Sequence, residues 1–438
     1  MASWASLEYH NGFGNHVESE AEKGALPIGR NNPQKCPMGL YAEQLSGTPF
    51  TFAKHKNKRS WLYRILPTVA HGNWTDKSKE KCYSQWISNF DEAKKGIQIT
   101  PEQMRWTPRP MKSMLFHESI KTMMGAGSPS LKTGLSISHY SIGKNMTDKR
   151  IAMYSSDGDI IIVPQTGVLL VTTEFGKLRV PPKEVVIVPR GCKFSMDIEE
   201  GLGRGWLAES FKGHFAIPDL GPIGSNGLAN ERDFSAPTAS YDDDKSSGNW
   251  TVVNRFMGQV FEYKQDHSPY DVVAWHGNYY PFKYDLTKFN TMGSISFDHP
   301  DPSIFTVLTI QTEDPGQAAL DFVIFPPRWL VAQDTFRPPY YHRNTMSEFM
   351  GNISGTYDAK EKGFSPGASS LHSIMSGHGP EAEVFEKASN AGNGLYKTPD
   401  DSLAFMFETC YMLKLTDYAI KEAGWDKDYR KCWKNLKP

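Results

Sequence analysis

Between Gly158 and Ile198 the chain reads Gly-Asp-Ile-Ile-Ile-Val-Pro, then Gly-Val-Leu-Leu-Val-Thr-Thr-Glu-Phe-Gly-Lys-Leu-Arg-Val-Pro-Pro, then Glu-Val-Val-Ile-Val-Pro-Arg-Gly-Cys-Lys-Phe-Ser-Met-Asp-Ile. These are successive β-branched runs of strand length, each bounded by Gly or Pro. β-Branched side chains suit a pleated backbone, and Gly and Pro end it before a helix can form. Such a series predicts short strands closing a barrel or jelly roll.

The same punctuation continues along the chain, where 37 glycines and 29 prolines fall at short intervals. A second strand-rich region is expected at Ser294-Ile-Ser-Phe, Phe305-Thr-Val-Leu-Thr-Ile and Asp321-Phe-Val-Ile-Phe. A late strand is expected at Ser402–Lys414 and a short helix at Thr416–Ala423. Further helices are expected at Asp91–Gly96 and Pro110–Thr122. A length of 438 residues suits two or three domains. The aromatic, aperiodic segment Trp275–Lys288 is the expected junction, giving an N-terminal domain over 1–287 and a C-terminal domain over 288–438.

Several classes are excluded or disfavoured. Lys plus Arg is 48 and Asp plus Glu is 49, a net charge of −1, which lacks the basic excess of a nucleic-acid binder. No apolar run approaches the roughly 18 to 20 residues of a membrane helix; the longest, near Ile160–Val163 and Val168–Val171, are expected to be cut by Pro164 and Gly167. The first residues show no basic-then-apolar signal pattern. Five scattered cysteines with no CxxC spacing indicate neither a zinc knuckle nor a disulfide framework. The expectation is a cytoplasmic protein without nucleic-acid or membrane partners.

Of the thirteen histidines, His10, His55, His71 and His117 stand alone in polar sequence and are expected at the surface. A cluster lies near the C-terminus, at Tyr340-Tyr341-His342-Arg343-Asn344-Thr345-Met346-Ser347-Glu348 and at Leu371-His372 through His378. On one straight strand His342 and Glu348 would stand roughly 20 Å apart, too far to share a metal. A reversal at Arg343-Asn344-Thr345 would bring them to the same barrel mouth, because Asn tolerates turns. A histidine about thirty residues on, returning on a third strand, would complete a two-His-one-carboxylate face. That set leaves positions open on the metal and is the arrangement of non-haem Fe(II) oxygenases. Spacing leaves His372 and His378 as alternatives. Gly125-Ala-Gly127 and Gly201-Leu-Gly-Arg-Gly205 are expected to be loops, since neither sits clearly between a strand and a helix.

Other segments carry a resemblance. Gly12-Phe-Gly-Asn15, Asn31-Asn-Pro-Gln34, Leu40-Tyr-Ala-Glu-Gln-Leu-Ser-Gly47 and Asn57-Lys-Arg-Ser-Trp-Leu-Tyr-Arg64 are followed by Asp219-Leu-Gly-Pro-Ile-Gly224, Ala274-Trp-His-Gly-Asn278, Phe325-Pro-Pro-Arg-Trp329 and Arg337-Pro-Pro-Tyr-Tyr-His-Arg-Asn344. In this order they resemble the homogentisate 1,2-dioxygenase family over essentially the whole chain. The resemblance implies a mainly β fold of two cupin-like jelly rolls with short helices, a bicupin. It implies Fe(2+) held by His342, Glu348 and His378, which chooses His378 over His372. It also implies His299, in Phe297-Asp-His-Pro-Asp-Pro302, as proton acceptor. Tyr357, in Gly355-Thr-Tyr-Asp, and His378 would contact substrate, and His372 would stand behind the ligands near the oxygen pocket.

The implied reaction is O2-dependent cleavage of homogentisate to 4-maleylacetoacetate in tyrosine and phenylalanine catabolism, by a homohexamer built as a dimer of trimers. The segment Pro189-Arg190-Gly191-Cys192-Lys193-Phe194 resembles the second cupin motif with Phe194 where a ligand His would stand. That barrel is therefore expected to be metal-free and architectural. Asp76–Gln98, Ser128–Lys132 and Ser235–Gly248 depart from the family pattern and are expected on surface loops. Two rival readings remain, a non-catalytic structural bicupin and a Zn or Mn cupin isomerase.

Overall fold

The computed structural model describes residues 4–91, 96–219, 228–243, 248–291, 305–331, 337, 340–360, 362–392 and 394–438. The chain is mainly β. The β-branched runs form strands at Asp159–Thr166, Leu169–Thr173, Gly176–Val180, Glu184–Val188 and Phe194–Ile198. They divide between two sheets. Asp159–Thr166 pairs with Glu184–Val188 and with Gly203–Ser210 in a ten-stranded sheet. Leu169–Thr173 pairs with Gly176–Val180 and Phe194–Ile198 in a seven-stranded sheet.

Burial explains why the first of these runs is apolar throughout rather than alternating. Ile160 and Ile162 point into the core between these two sheets, with Val171, Val186 and Phe194. Ile161 and Val163 point the opposite way, into a second core shared with the C-terminal half. A sheet covered on both faces needs apolar residues at consecutive positions. Pro164 does not cut the strand as expected. The strand runs through it to Thr166 with a register shift, since a bulge tolerates the missing N–H.

A six-stranded sheet builds the C-terminal barrel from Thr306–Gln311, Ala318–Phe325, Leu403–Thr409, Ser347–Ser354 and Ser369–His372. Its sixth strand, Met104–Trp106, comes from the N-terminal half and pairs with Ser369–Leu371. Lys414–Thr416 makes the reverse journey and pairs with Lys121–Ser128 and Ile97–Gln98 in the ten-stranded sheet. The two halves therefore exchange strands. Trp106, fully buried, ties the exchange by donating its indole N–H to the Ala419 carbonyl at 2.7 Å.

The late strand and the short helix lie at Leu403–Thr409 and Asp417–Lys421, as the sequence indicates. Other expectations need correction. The helix expected over Pro110–Thr122 is only Phe116–Ser119, because Lys121–Ser128 is taken by pairing with Thr133–Ile142. The glycines at 125–127 and 203–205 lie in strands, not loops. A Cβ on Gly125 would stand 2.2 Å from the Phe90 ring, and one on Gly205 2.2 Å from the Val163 carbonyl, so close packing selects glycine there. The segment at Trp275–Lys288 is woven into two sheets through Val272–Gly277 and Phe282–Asp285, with Trp275 fully buried. His117 is 3% exposed rather than solvated, and burial pushes it down to about 4, so it stays uncharged at neutral pH. Asp76–Gln98 is not all surface either. Tyr83, Trp86 and Phe90 are buried, and the Arg255 guanidinium lies 4.5 Å above Trp86. The expected helix at Asp91–Gly96 and strand at Ser294–Phe297 lie wholly or mostly outside the described residues.

One buried ion network holds the N-terminal sheets together. Arg64, 1% exposed, donates to Asp271 at 2.9 and 2.6 Å, to Glu43 at 2.9 Å and to Glu174 at 2.9 Å. Lys193 reaches Glu174 at 3.3 Å. No helix among the described residues is long and apolar enough to cross a membrane.

Candidate metal centre

The strand Ser347–Ser354 fixes Glu348. It is buried along nearly its whole length between Leu403–Thr409 on one side and Ser369–His372 on the other. Alternation puts Glu348, Met350 and Asn352 on one face. Directly opposite Glu348 stand His372 and Glu408.

The chain reverses just before this strand. Asn344 Oδ1 accepts the Met346 N–H at 3.0 Å, an Asx turn of the kind its sequence position suggests. Asn344 Nδ2 donates to Glu348 at 2.9 Å and to Glu408 at 3.4 Å, so one amide both shapes the reversal and aims the carboxylate. Before the turn, His342 pairs with His378 in an isolated antiparallel bridge, with N–H···O distances of 2.9 and 3.1 Å. The third histidine position thus lies beyond the strand Ser369–His372, on a return made through Met375 at a φ of +60°. A bulky residue in that conformation is strained, and the surrounding bridge holds it.

The outcome is three donor atoms facing one point. His342 Nε2 lies 3.3 Å from one Glu348 oxygen, and His378 Nε2 lies 3.0 Å from the other. All three donor atoms fall within 4.8 Å of one another. His378 Nδ1 donates to the Ser376 carbonyl at 2.9 Å, which leaves Nε2 to face the carboxylate and any metal. Burial alone would raise the Glu348 carboxyl, but the hydrogen bonds from His342 and His378 outweigh it and hold the group well below its usual range. The same bond to Glu348 raises His342, against burial. A buried carboxylate kept ionised beside two imidazoles is a donor set for a divalent cation. His342 and His378 also border an open cleft with Tyr341, Arg343, Gly377 and Trp433, so a small molecule can reach them.

The other expected site residues lie as follows. His372 stacks on His378, with ring centroids 4.2 Å apart and planes at 8°, and its Nε2 lies 3.0 Å from the Tyr429 hydroxyl. It stands on the same face as Glu348, its partner in the register, and is bonded to Tyr429 rather than to the carboxylate. Tyr357 packs edge-on against Phe325 and Phe364 at 5.5 and 6.0 Å. Burial raises its phenol, and the nearby charge of Glu348 adds to this. His299 lies outside the described residues.

Three residues were not legible as site members. Asn344 reads in sequence only as a turn former. Tyr429 reaches His372 from 57 positions away. Lys360 is buried against Ser370 Oγ at 2.9 Å with its ammonium 4.9 Å above Phe364. Burial pushes Lys360 down to about 7. No spacing rule would have found Tyr429, whose partner lies 57 positions away, whereas Lys360 meets Ser370 only ten positions on.

Among the described residues the N-terminal barrel offers no comparable donor cluster. Phe194 is fully buried among Phe116, Met153 and Val171. Phe194→His should therefore leave metal content per chain unchanged while lowering stability by roughly 2 kcal/mol, because a lone imidazole there meets no second ligand. Metal analysis of the purified variant checks this, and an additional equivalent of bound metal relative to wild type would refute it.

Residues 8–286 match the family model described as "Homogentisate 1,2-dioxygenase N-terminal", and residues 287–438 match "Homogentisate 1,2-dioxygenase C-terminal". A homogentisate 1,2-dioxygenase from Emericella nidulans is 51% identical over 415 residues, covering 94% of this chain and 91% of that protein. One from Dictyostelium discoideum is 51% identical over 433 residues, covering 98% and 97%. Among solved structures, a variant of oxalate decarboxylase from Bacillus subtilis is similar at 12% identity, covering 77% of this chain and 88% of that one with a TM-score of 0.29.

Proposed function

Since the chain belongs to the homogentisate 1,2-dioxygenase family, we propose that it cleaves the ring of homogentisate with O2 to give 4-maleylacetoacetate, using Fe(II) held by His342, Glu348 and His378. The observation that carries the metal assignment is the convergence of those three donor atoms within 4.8 Å. Two neutral imidazoles and one carboxylate leave Fe(II) about one positive charge, suited to an anionic substrate, and leave coordination positions open. Bound iron would supply the electron path between the aromatic ring and O2.

The protein's own groups bind, orient and move protons. His299 accepts a phenolic proton as the substrate binds; an imidazole titrating near 6.5 suits a base at neutral pH. Tyr357, protonated at any physiological pH because its phenol is raised, donates a hydrogen bond to the substrate and fixes which ring bond is presented. His378 borders the substrate as well as the iron. His372, stacked on His378 and tied to Tyr429, keeps that ligand from rotating. Residues 1–287 form the architectural unit and 288–438 the catalytic one. The working protein is a cytoplasmic homohexamer of tyrosine and phenylalanine catabolism.

The test is oxygen uptake by protein reconstituted anaerobically with Fe(II). One O2 should disappear per homogentisate, matched by the absorbance of maleylacetoacetate. Absence of uptake with iron bound would refute the substrate, and turnover without O2 would favour a Zn or Mn isomerase. His299→Ala should keep one iron per chain yet lose roughly 10²- to 10⁴-fold in kcat. An iron-free His299→Ala protein would instead make His299 a ligand.

A further inference from the structure

A second cleft, of about 100 Å³ and partly open to solvent, lies where the ten-stranded sheet meets the segment after the glutamate strand; it shares no residue with the metal centre. Its walls carry four cations, Arg109, Lys112, Lys121 and Arg204, against a single acid, Glu422. That acid already accepts a hydrogen bond from Gln85 at 2.6 Å. Glu422 offsets part of the charge on Lys121, and the hydrogen bonds that Arg204 and Lys121 donate go to neutral groups. Arg204 donates to Gln165 Oε1 at 2.8 Å, to the Arg109 carbonyl and to the Pro366 carbonyl at 3.4 Å. Lys121 donates to the Cys82 carbonyl at 3.1 Å. The Arg109 guanidinium lies 5.5 Å above the Tyr418 ring.

Three polar side-chain atoms among the lining residues have no hydrogen-bond partner among the described residues: Arg109 Nε, His139 Nε2 and Trp206 Nε1. Trp206 is 2% exposed, and it shares one face of the sheet with His139, its partner in the register. Buried donors are almost always satisfied in folded proteins, so three orphans among the lining residues of one cleft mark a place for a ligand. Arg and Trp N–H groups can only donate. His139 joins them when the Tyr418 hydroxyl, 3.5 Å from Nδ1, supplies the hydrogen on that side and leaves Nε2–H free. Burial, with Arg109 and Arg204 adding to it, keeps this imidazole neutral. The complement of a wall with an excess of cations and unpartnered N–H donors is an oxyanion. The aromatic and apolar wall of Tyr418, Trp206, Met114 and Pro110 suits an organic body behind it.

We propose that this cleft binds a small organic carboxylate, at a site separate from the metal centre. Its occupancy would be felt at a distance, because Gln165, held by Arg204, donates to the Ile353 carbonyl at 3.2 Å on the strand that carries Glu348.

Titration calorimetry of the iron-loaded full chain with benzoate, and separately with inorganic phosphate, tests the assignment. Saturable benzoate binding is expected, weakened at least tenfold in Arg109→Gln and in Trp206→Phe, and unchanged in Glu348→Ala. Trp206→Phe removes one N–H and keeps the ring, so it decides the matter should Arg109→Gln fold poorly. A flat benzoate isotherm would overturn the proposal. So would phosphate binding without benzoate binding, or benzoate binding lost in Glu348→Ala but retained in both cleft variants.

Discussion

Glu348→Ala is expected to purify without iron and to lose at least about 10³-fold of its homogentisate-dependent oxygen uptake, since on the proposed function the bound metal would carry the redox step. The carboxylate is the only anionic member of the set and sits between the two imidazoles, 3.3 Å from one and 3.0 Å from the other. Without it, two neutral imidazoles face a divalent cation with no charge to offset it. The protein should still fold. Removing a buried charge also removes the cost of burying it, and the bridge between His342 and His378 is made by backbone atoms that the substitution does not touch. Far-UV circular dichroism with metal analysis on the same sample separates the two effects. Iron retained at one per chain in a folded Glu348→Ala protein would sink the assignment of this cluster.

The largest loss of stability is expected at Arg64, in the other half of the molecule. Arg64→Met should lower the unfolding free energy by about 4 kcal/mol, the usual cost of stranding buried charges. The side chain makes four hydrogen bonds to three carboxylates, from Asp271, Glu174 and Glu43, and a fifth to the Pro269 carbonyl at 3.1 Å. Once it is gone, Lys193 is the one remaining cation of the network, and it touches only Glu174. Because the network lies in the N-terminal sheets, iron content should not change. Urea unfolding followed by fluorescence reads the stability. Wild-type stability in Arg64→Met would mean that a methionine packs there as well as the ion network does, and the network would then hold nothing together.

Much of the framework is legible from local chemistry. The runs at Ile160–Val163 and Val185–Val188 read as strands because β-branched residues bounded by Gly and Pro have few other choices. What sequence hides is tertiary. The segment Pro110–Thr122 reads as a helix until the strand Lys121–Ser128 is seen to pair with Thr133–Ile142, and Gly125 reads as a loop residue until Phe90 is found against it. The metal cluster shows the same limit. His342 and Glu348 are joined by a turn that Asn344 signals, so that pair is readable. His372 and His378 are equally plausible by spacing, and only the folded chain shows one facing Glu348 and the other facing Tyr429. His117 reads as a surface histidine because it stands apart from the other histidines, whereas in space it packs against Tyr83, with ring centroids 6.1 Å apart.

The exchange of strands between the halves also sets a timetable for biosynthesis. Met104–Trp106 emerges from the ribosome early, but its partner Ser369–Leu371 is made more than 250 residues later. Lys414–Thr416, which extends the N-terminal sheet, is made almost last. Until the final helix is released, the indole of Trp106 has no carbonyl to meet. Contacts of such sequence separation form slowly. The nascent chain must therefore carry unfinished sheet edges through most of its synthesis, and a stop codon just before Lys414 would leave the six-stranded sheet whole while taking one strand from the ten-stranded sheet and the Ala419 carbonyl from Trp106.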